Sequence, residues 1–296
     1  MMKETLLITG ANGFIAKHLT ARLSDQYNIR LLTRKPNAPN QYAWDVANKK
    51  IDGSALKGLD HIVHLAGANI FEKRWTDERK KEIVASRVES AQLLLDGLQN
   101  IDQTIKSFVS ASAIGYYGAV TCGHIFTEND PKGDDFLSEV AAKWERAADQ
   151  FKEKHIAERV VKMRTAVVFA EKSPALDNIK KTVSLYVGAP LGTGRQYMPW
   201  IHVDDLCRAY GYSLQNAGMD GVYNAVAPQH ITNKELTQYI AHRLRKPLCL
   251  PHVPAFVLRF LFGEAACMIL EGSRVSCEKL EAAGLKFQFP ALETFL

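Results

Sequence analysis

Thr5-Leu6-Leu7-Ile8-Thr9-Gly10-Ala11-Asn12-Gly13-Phe14-Ile15-Ala16 decides the fold of this chain. A short apolar run, the mark of a buried strand, ends at a glycine. A helical pattern follows, with Phe14, Ile15, Leu19 and Leu23 along one side. Gly10 permits the tight turn, Gly13 lets the backbone approach a pyrophosphate, and Ala16 is the small residue where helix and strand pack. The free N–H groups and dipole of the helix start favour an anion. A glycine motif alone is a weak signal. Placed between a first strand and a helix, it predicts a dinucleotide site built on Gly10, Asn12, Gly13, Phe14 and Ile15.

Strand and helix patterns alternate outward from that point. Ile29–Thr33, Tyr42–Asp45, His61–Leu65, Lys106–Ser110 and Arg159–Val168 carry strand character. A helix is expected from about Asp77 to Gln99, capped by Thr76, and another after Asp134 or Asp135 that carries Leu137, Val140, Ala141, Trp144, Ala148 and Phe151. This alternation predicts an α/β protein, a Rossmann-type doubly wound parallel sheet with a small C-terminal lobe. Thr232 to Glu235 reads as a capping box, and Pro247, Pro251 and Pro254 punctuate the segment beyond it. The expected division is a Rossmann domain over 1–235, with substrate-lobe segments from about 172, and a C-terminal domain over 236–296.

Composition narrows the partners. The 296 residues are 47% hydrophobic and 23% charged with a net charge of +5, ordinary for a soluble domain. Lys and Arg are dispersed, so a nucleic-acid partner is not expected. The stretch from Phe256 to Leu270 is interrupted by Arg259, Gly263 and Glu264, too broken to span a membrane. Five cysteines without a Cys-x-x-Cys frame neither disulfides nor a zinc site. His61 and His64 stand three apart on a strand and face opposite ways, so no metal is expected. The Met1-Met2-Lys3-Glu4 start shows no signal segment, and a cytoplasmic setting is the expectation.

The choice of dinucleotide turns on the end of the second strand, Leu31-Leu32-Thr33-Arg34-Lys35. An NAD site normally places an acid there for the ribose 2′-hydroxyl. Here Thr33 and Arg34 stand instead, and Arg34 can fork a 2′-phosphate. The alternative is a solvated surface arginine. NADP is therefore expected, with NAD the lesser candidate.

His64-Leu65-Ala66-Gly67 after the fourth strand, Asp45-Val46 after the third and Trp200-Ile201-His202-Val203-Asp204-Asp205 resemble the extended short-chain dehydrogenase/reductases. Segments such as Glu72 to Lys80, Ser110-Ala111-Ser112-Ala113-Ile114-Gly115-Tyr116-Tyr117-Gly118, Pro190 to Gln196 and Leu261 to Glu264 resemble an atypical subgroup, epimerase family 39. That subgroup is sugar-nucleotide epimerase-like and ends in a small domain of unknown function. The resemblance spans essentially the whole chain. It implies that Leu65, Ala66 and Gly67 line the cofactor and that Asp45 contacts adenine; Ser110 and Arg87 are further candidates for cofactor contact.

The resemblance also exposes a gap. Short-chain dehydrogenases use a Tyr and a Lys four residues apart on one helix, the Lys lowering the Tyr pKa for general acid/base work. Counted back from Glu145, those positions hold Leu137 and Ala141. The remaining catalytic candidates are Ser112, for the substrate oxygen, and Tyr116 and Tyr117, as proton donors. Their alternative is a packing role. Arg87 can bind a substrate anion or cofactor phosphate, or pair on the helix surface with Glu89 or Asp96. Arg74 and Trp75 can form a substrate lid or a buried anchor, and Arg195 lies in a glycine-rich loop suited to an anionic substrate. The expected activity is an NADP-dependent oxidoreductase or epimerase-like reaction on a small carbonyl or alcohol, in a possible homodimer. An NADP-binding sensor without turnover, or a nucleotide-sugar epimerase, are the alternatives.

Overall fold

The computed structural model describes residues 3–296. Its first half contains β1 (Thr5–Thr9), α1 (Phe14–Leu23), β2 (Asn28–Thr33), β3 (Gln41–Asp45), β4 (Lys50–Ile51), β5 (His61–His64), α2 (Asp77–Asn100), β6 (Ile105–Ala113), β7 (Ile125–Phe126) and α3 (Phe136–Glu153). Then come β8 (Ala157–Thr165), β9 (Val167–Phe169), α4 (Pro174–Ser184), β10 (Trp200–His202), α5 (Val203–Gln215), β11 (Gly221–Ala225) and α6 (Asn233–Arg243). The chain closes with α7 (Ala255–Phe262), α8 (Cys267–Leu270), β12 (Arg274–Val275) and α9 (Glu278–Ala282).

Eight strands form one sheet in the order β11-β8-β6-β5-β1-β2-β3-β4, parallel except at the β3–β4 edge. The chain runs from β1 outward to β2 and β3, then returns across β1 to begin β5. That reversal opens a crevice at the carboxyl ends of β1 and β5, the switch point where such sheets bind ligands. Alternation along the strands fixes both layers. Leu6, Ile8, Val63, Val109 and Met163 pack with Leu19, Leu23, Leu206 and Tyr210 from α1 and α5. Leu7, Ile62, Phe108 and Val160 pack with Leu94, Leu98, Ala148 and Phe151 from α2 and α3.

The helix starts follow local chemistry. The Thr76 side chain accepts from Arg79 N, with Asp77 and Glu78 in the first turn, and Thr232 with Glu235 forms the full capping box. Of the two aspartates before α3, Asp135 is the cap. One of its oxygens accepts from Ser138 N and the other from Ala119 N, so it also holds the loop beyond β6.

Some boundaries differ from the sequence reading. The strand expected over Arg159–Val168 is split: β8 ends at Thr165, and β9 leaves the sheet to pair with β10. β11, which the sequence reading did not mark, extends the sheet beyond β8. α6 spans residues 235 and 236, and the proline-punctuated segment follows it. The C-terminal lobe is tied to the main body by strand pairing, Arg274–Val275 against Ile125–Phe126. Among the described residues no helix is long and apolar enough to cross a membrane.

Phe108 is fully buried and stacks on Phe151 with centroids 3.7 Å apart, pinning α3 to the sheet. Phe108→Ala is expected to cost about 3–5 kcal/mol through the cavity it leaves. A urea midpoint unchanged from wild type would contradict this packing.

Candidate functional site

The glycine loop is shaped by contact with the turn after β5. Gly10 has φ +68°, and a Cβ there would lie 2.9 Å from the Leu65 carbonyl oxygen, so only glycine fits. Gly13 is the N-cap of α1, without a side-chain cap and without an acid in the first turn. The N–H groups that open α1, at Phe14 and Ile15, are thus left for an anion. The Thr9 hydroxyl accepts from Leu65 N and Ala66 N, at 3.0 and 3.1 Å, and meets His64 Nδ1 at 3.0 Å. Asn12 Nδ2 donates to Thr33 Oγ1 at 3.3 Å and joins the glycine loop to the end of β2. Arg34, next in line, is exposed and has no hydrogen-bond or ion-pair partner among the described residues. Asp45 is exposed, with its carboxylate held by the side chain and backbone of Asn48, which lower its pKa. Ser110 is buried and its hydroxyl is turned onto the Ala111 carbonyl.

His64 sits beneath this turn. The Thr9 hydroxyl already accepts two N–H groups, so its own proton goes to His64 Nδ1, and Nε2–H donates to Ser90 Oγ at 3.1 Å. Burial holds the ring neutral, with its pKa pushed down to about 4.

A cavity of about 390 Å³ opens beside the crevice, at the carboxyl ends of β6 and β8. Ala113 to Gly115 and Thr165 to Val167 form its sheet side. Phe71, Leu137, Val140 and Met268 make much of the rest, so its lining is predominantly apolar. Contacts run from the glycine loop into it: Gly10 abuts Leu65, Gly67 abuts the Arg87 guanidinium, and Arg87 borders the cavity. The C-terminal lobe supplies a further wall through Met268 and Glu271 to Ser273, where Gly272 and Tyr197 meet backbone to backbone.

This geometry agrees with the relatives of the chain. A model of the NAD dependent epimerase/dehydratase family matches residues 6–226, and one of a domain of unknown function matches residues 253–296. An Arabidopsis thaliana protein named epimerase family protein SDR39U1 homolog, chloroplastic, is 36% identical, over 96% of this chain and 83% of its own length. The structure of human epimerase family protein SDR39U1 with NADPH aligns with a TM-score of 0.86 at 32% identity, covering 98% of this chain and 97% of that one. A nucleoside-diphosphate sugar epimerase from Corynebacterium glutamicum aligns at 0.80 with 28% identity, over 98% of this chain and 57% of that one. The chain belongs to the NAD dependent epimerase/dehydratase family. Within it the chain falls with the atypical extended short-chain dehydrogenase/reductases, as its motifs imply.

Against that family the catalytic helix is altered. Leu137 and Ala141 are buried on α3 and line the cavity as bare apolar wall. Lys143 is exposed and approaches Glu139 at 3.9 Å. Ser112, Tyr116 and Tyr117 do come together, but around a buried ion pair. Arg164 holds both oxygens of Glu145, through Nε at 2.8 Å and Nη2 at 2.9 Å. Ser112 donates to Glu145 at 2.7 Å, and Tyr117 donates to Asn224 at 2.7 Å while accepting from Arg164 at 3.0 Å. The Tyr116 ring lies 3.4 Å from the Arg164 guanidinium. Burial opposes the Arg164 charge, yet the bonds and charge of Glu145 raise its pKa. Burial pushes the Tyr117 phenol up to about 12. Tyr117 therefore gives the cavity its ring, with its hydroxyl engaged elsewhere.

The expected substrate residues are spread apart. Trp75 is buried; its Nε1 donates to the Ile70 carbonyl at 3.0 Å and its ring meets Phe136 edge-on. Arg74 donates to the Phe260 and Leu261 carbonyls and caps α7. Arg195 is exposed and stands outside the cavity lining. Arg87 is buried and has no carboxylate partner among the described residues. Its pairing with Glu89 or Asp96 does not form; the guanidinium stacks over Trp144 at 4.8 Å. Burial, then the charge of Arg79, pulls its pKa down to about 10. Sequence reading missed Tyr197, a lining residue whose ring has the Arg274 guanidinium 5.4 Å from its centroid and whose hydroxyl makes no hydrogen bond to the described residues. Tyr197 falls in the gap between the Pro190–Gln196 and Trp200–Asp205 segments, and neither motif includes it.

Glu145→Ala strands the buried Arg164 charge and is expected to cost about 3–5 kcal/mol, against about 1 kcal/mol for Ser112→Ala. Equal losses in urea melts would overturn that ranking. His64 gives a pH dependence. Its folded pKa, about 4, lies below the unfolded 6.5, so the unfolded chain binds the extra proton. Stability is full above 6.5 and falls as pH drops toward 4, by about 3 kcal/mol from this group. His64→Gln should show a shallower loss over that window, and parallel wild-type and variant curves would contradict it.

Proposed function

We propose that this chain is an NADP-dependent oxidoreductase of the extended short-chain type, acting on a small carbonyl or alcohol held in the apolar cavity. The observation that carries the reading is continuity: the uncapped start of α1, the Leu65-Ala66-Gly67 turn and the cavity adjoin one another at the switch point of the sheet. The N–H groups at Phe14 and Ile15 and the close glycine backbone suit a pyrophosphate, and Arg34 suits a 2′-phosphate. The human relative solved with NADPH supports the same preference.

NADPH, when bound, supplies a hydride to a carbonyl carbon. The chain excludes water with the cavity's apolar walls and fixes the Leu65–Gly67 turn through Thr9. The carbonyl oxygen that gains negative charge needs one proton, and among the phenols at the cavity Tyr197 is the one whose hydroxyl is free of protein partners. We assign the proton to it, replenished from solvent, so that carbonyl, NADPH and one proton give alcohol and NADP⁺.

Calorimetry is expected to show NADPH binding more tightly than NADH, with Arg34→Ala weakening NADPH by about 1–3 kcal/mol. Equal affinities in the wild type would refute the cofactor assignment. In a screen of carbonyl compounds read by loss of NADPH absorbance, Tyr197→Phe is expected to lower turnover about 10²-fold. Turnover that survives Tyr197→Phe would remove the proton assignment, and tight NADPH binding without any turnover would favour a sensor.

A further inference from the structure

The cavity's one buried cation makes a specific demand on what fills it. Arg87 is 6% exposed and borders the cavity. Nη1 donates to the Ile83 carbonyl at 2.9 Å and reaches Ser86 Oγ at 3.4 Å, and Nη2 donates to the Ala68 carbonyl at 3.2 Å. Nε is buried without any partner. A guanidinium has five N–H donors, so two lack a protein partner: Nε–H, which packing closes off from solvent, and the second N–H of Nη2. Nε and Nη2 form the edge with which Arg164 grips Glu145 elsewhere in this molecule. A buried charge that keeps its proton yet lacks a counter-ion is costly, and an anion at this edge would offset the cost.

The rest of the lining sets the other half of the demand. Ile70, Phe71, Leu137, Val140 and Met268 offer no hydrogen bonds. Glu271, the carboxylate on the lining, is half-buried and accepts from Thr121 at 2.6 Å. Thr165, Tyr197 and Ser273 add three hydroxyl groups to the lining, fewer than a sugar needs, since its ring carries hydroxyls all round and those facing the apolar walls would be buried unpaired. Resting on the reading of this cavity as the substrate site, we propose that the substrate is a small oxo or hydroxy acid, an apolar body with one carboxylate, and that Arg87 is the carboxylate's partner.

The test uses the full chain loaded with NADP⁺ and matched probes: 2-oxo-4-phenylbutanoate, 4-phenyl-2-butanone, which lacks the carboxylate, and UDP-glucose. Calorimetry is expected to show the oxo acid binding at least tenfold tighter than the ketone, with UDP-glucose weaker than the oxo acid. Arg87→Met should erase the preference for the acid, and Arg87→Lys should keep part of it. The wild-type panel stands by itself if Arg87→Met fails to fold. The proposal is overturned if the ketone binds as well as the acid, if UDP-glucose binds more tightly than the acid, or if Arg87→Met weakens NADP⁺ as much as the acid. NADP⁺ binding with no oxo-acid binding sinks this inference and leaves the cofactor reading standing. No NADP⁺ binding sinks both.

Discussion

The Thr9 hydroxyl is the point on which the site's geometry depends. It accepts from Leu65 N and Ala66 N and gives its own proton to His64, so two strand ends that diverge at the switch point are tied by one side chain. With that turn drawn in, the Leu65 carbonyl stands where a Cβ on residue 10 would be, and glycine becomes obligatory there. Gly10 in turn accepts from Gly13 N at 2.8 Å, which sets where α1 begins. His64 is held neutral by burial, so the tie keeps one protonation state over the range where most proteins work.

The same turn carries the argument from cofactor to cavity. Gly67 presses against Arg87, and Arg87 is held by carbonyls at both of its outer nitrogens. An arginine so placed cannot swing to solvent to recover hydration, which is why its charge has to be read as part of the site. The C-terminal lobe completes the enclosure. Its β12 is hydrogen-bonded to β7, and Met268 with Glu271 to Ser273 makes a wall of the cavity.

Much of the fold is legible in the sequence because its signals are local. The glycine loop, the buried strands of β1, β2 and β5, the Thr76 cap and the capping box of α6 each sit within a few residues. The candidate cofactor residues were read the same way, each from a short stretch at a strand end, as at Gly10–Ile15 and Leu65–Gly67. What was not legible depends on contacts far apart in sequence. That Ser112 and Tyr117 spend their hydroxyls on Glu145 and Asn224 follows from α3, β8 and β11 meeting at β6. That Arg74 caps α7 joins residues nearly two hundred positions apart. β7 and β12, two residues each, carry too few residues for any period to show.

The loss of the Tyr and Lys positions and the apolar character of the cavity are one fact. A lysine at Ala141 would face Trp144 and Arg87, and both burial and the neighbouring like charge would pull its pKa down. A tyrosine at Leu137 would stand among Val140, Ile83 and Trp75, where burial raises the phenol pKa. Each change would leave the other without its purpose, since the lysine acts by holding the phenol's pKa low. Arg87 on α2 lies over Trp144, and α3 presents Leu137, Val140 and Ala141 to the cavity. With Leu137 and Ala141 on it, α3 offers no group that exchanges a proton at those positions, and the polar groups at the cavity come from other elements, among them Arg87, Tyr197 and Glu271.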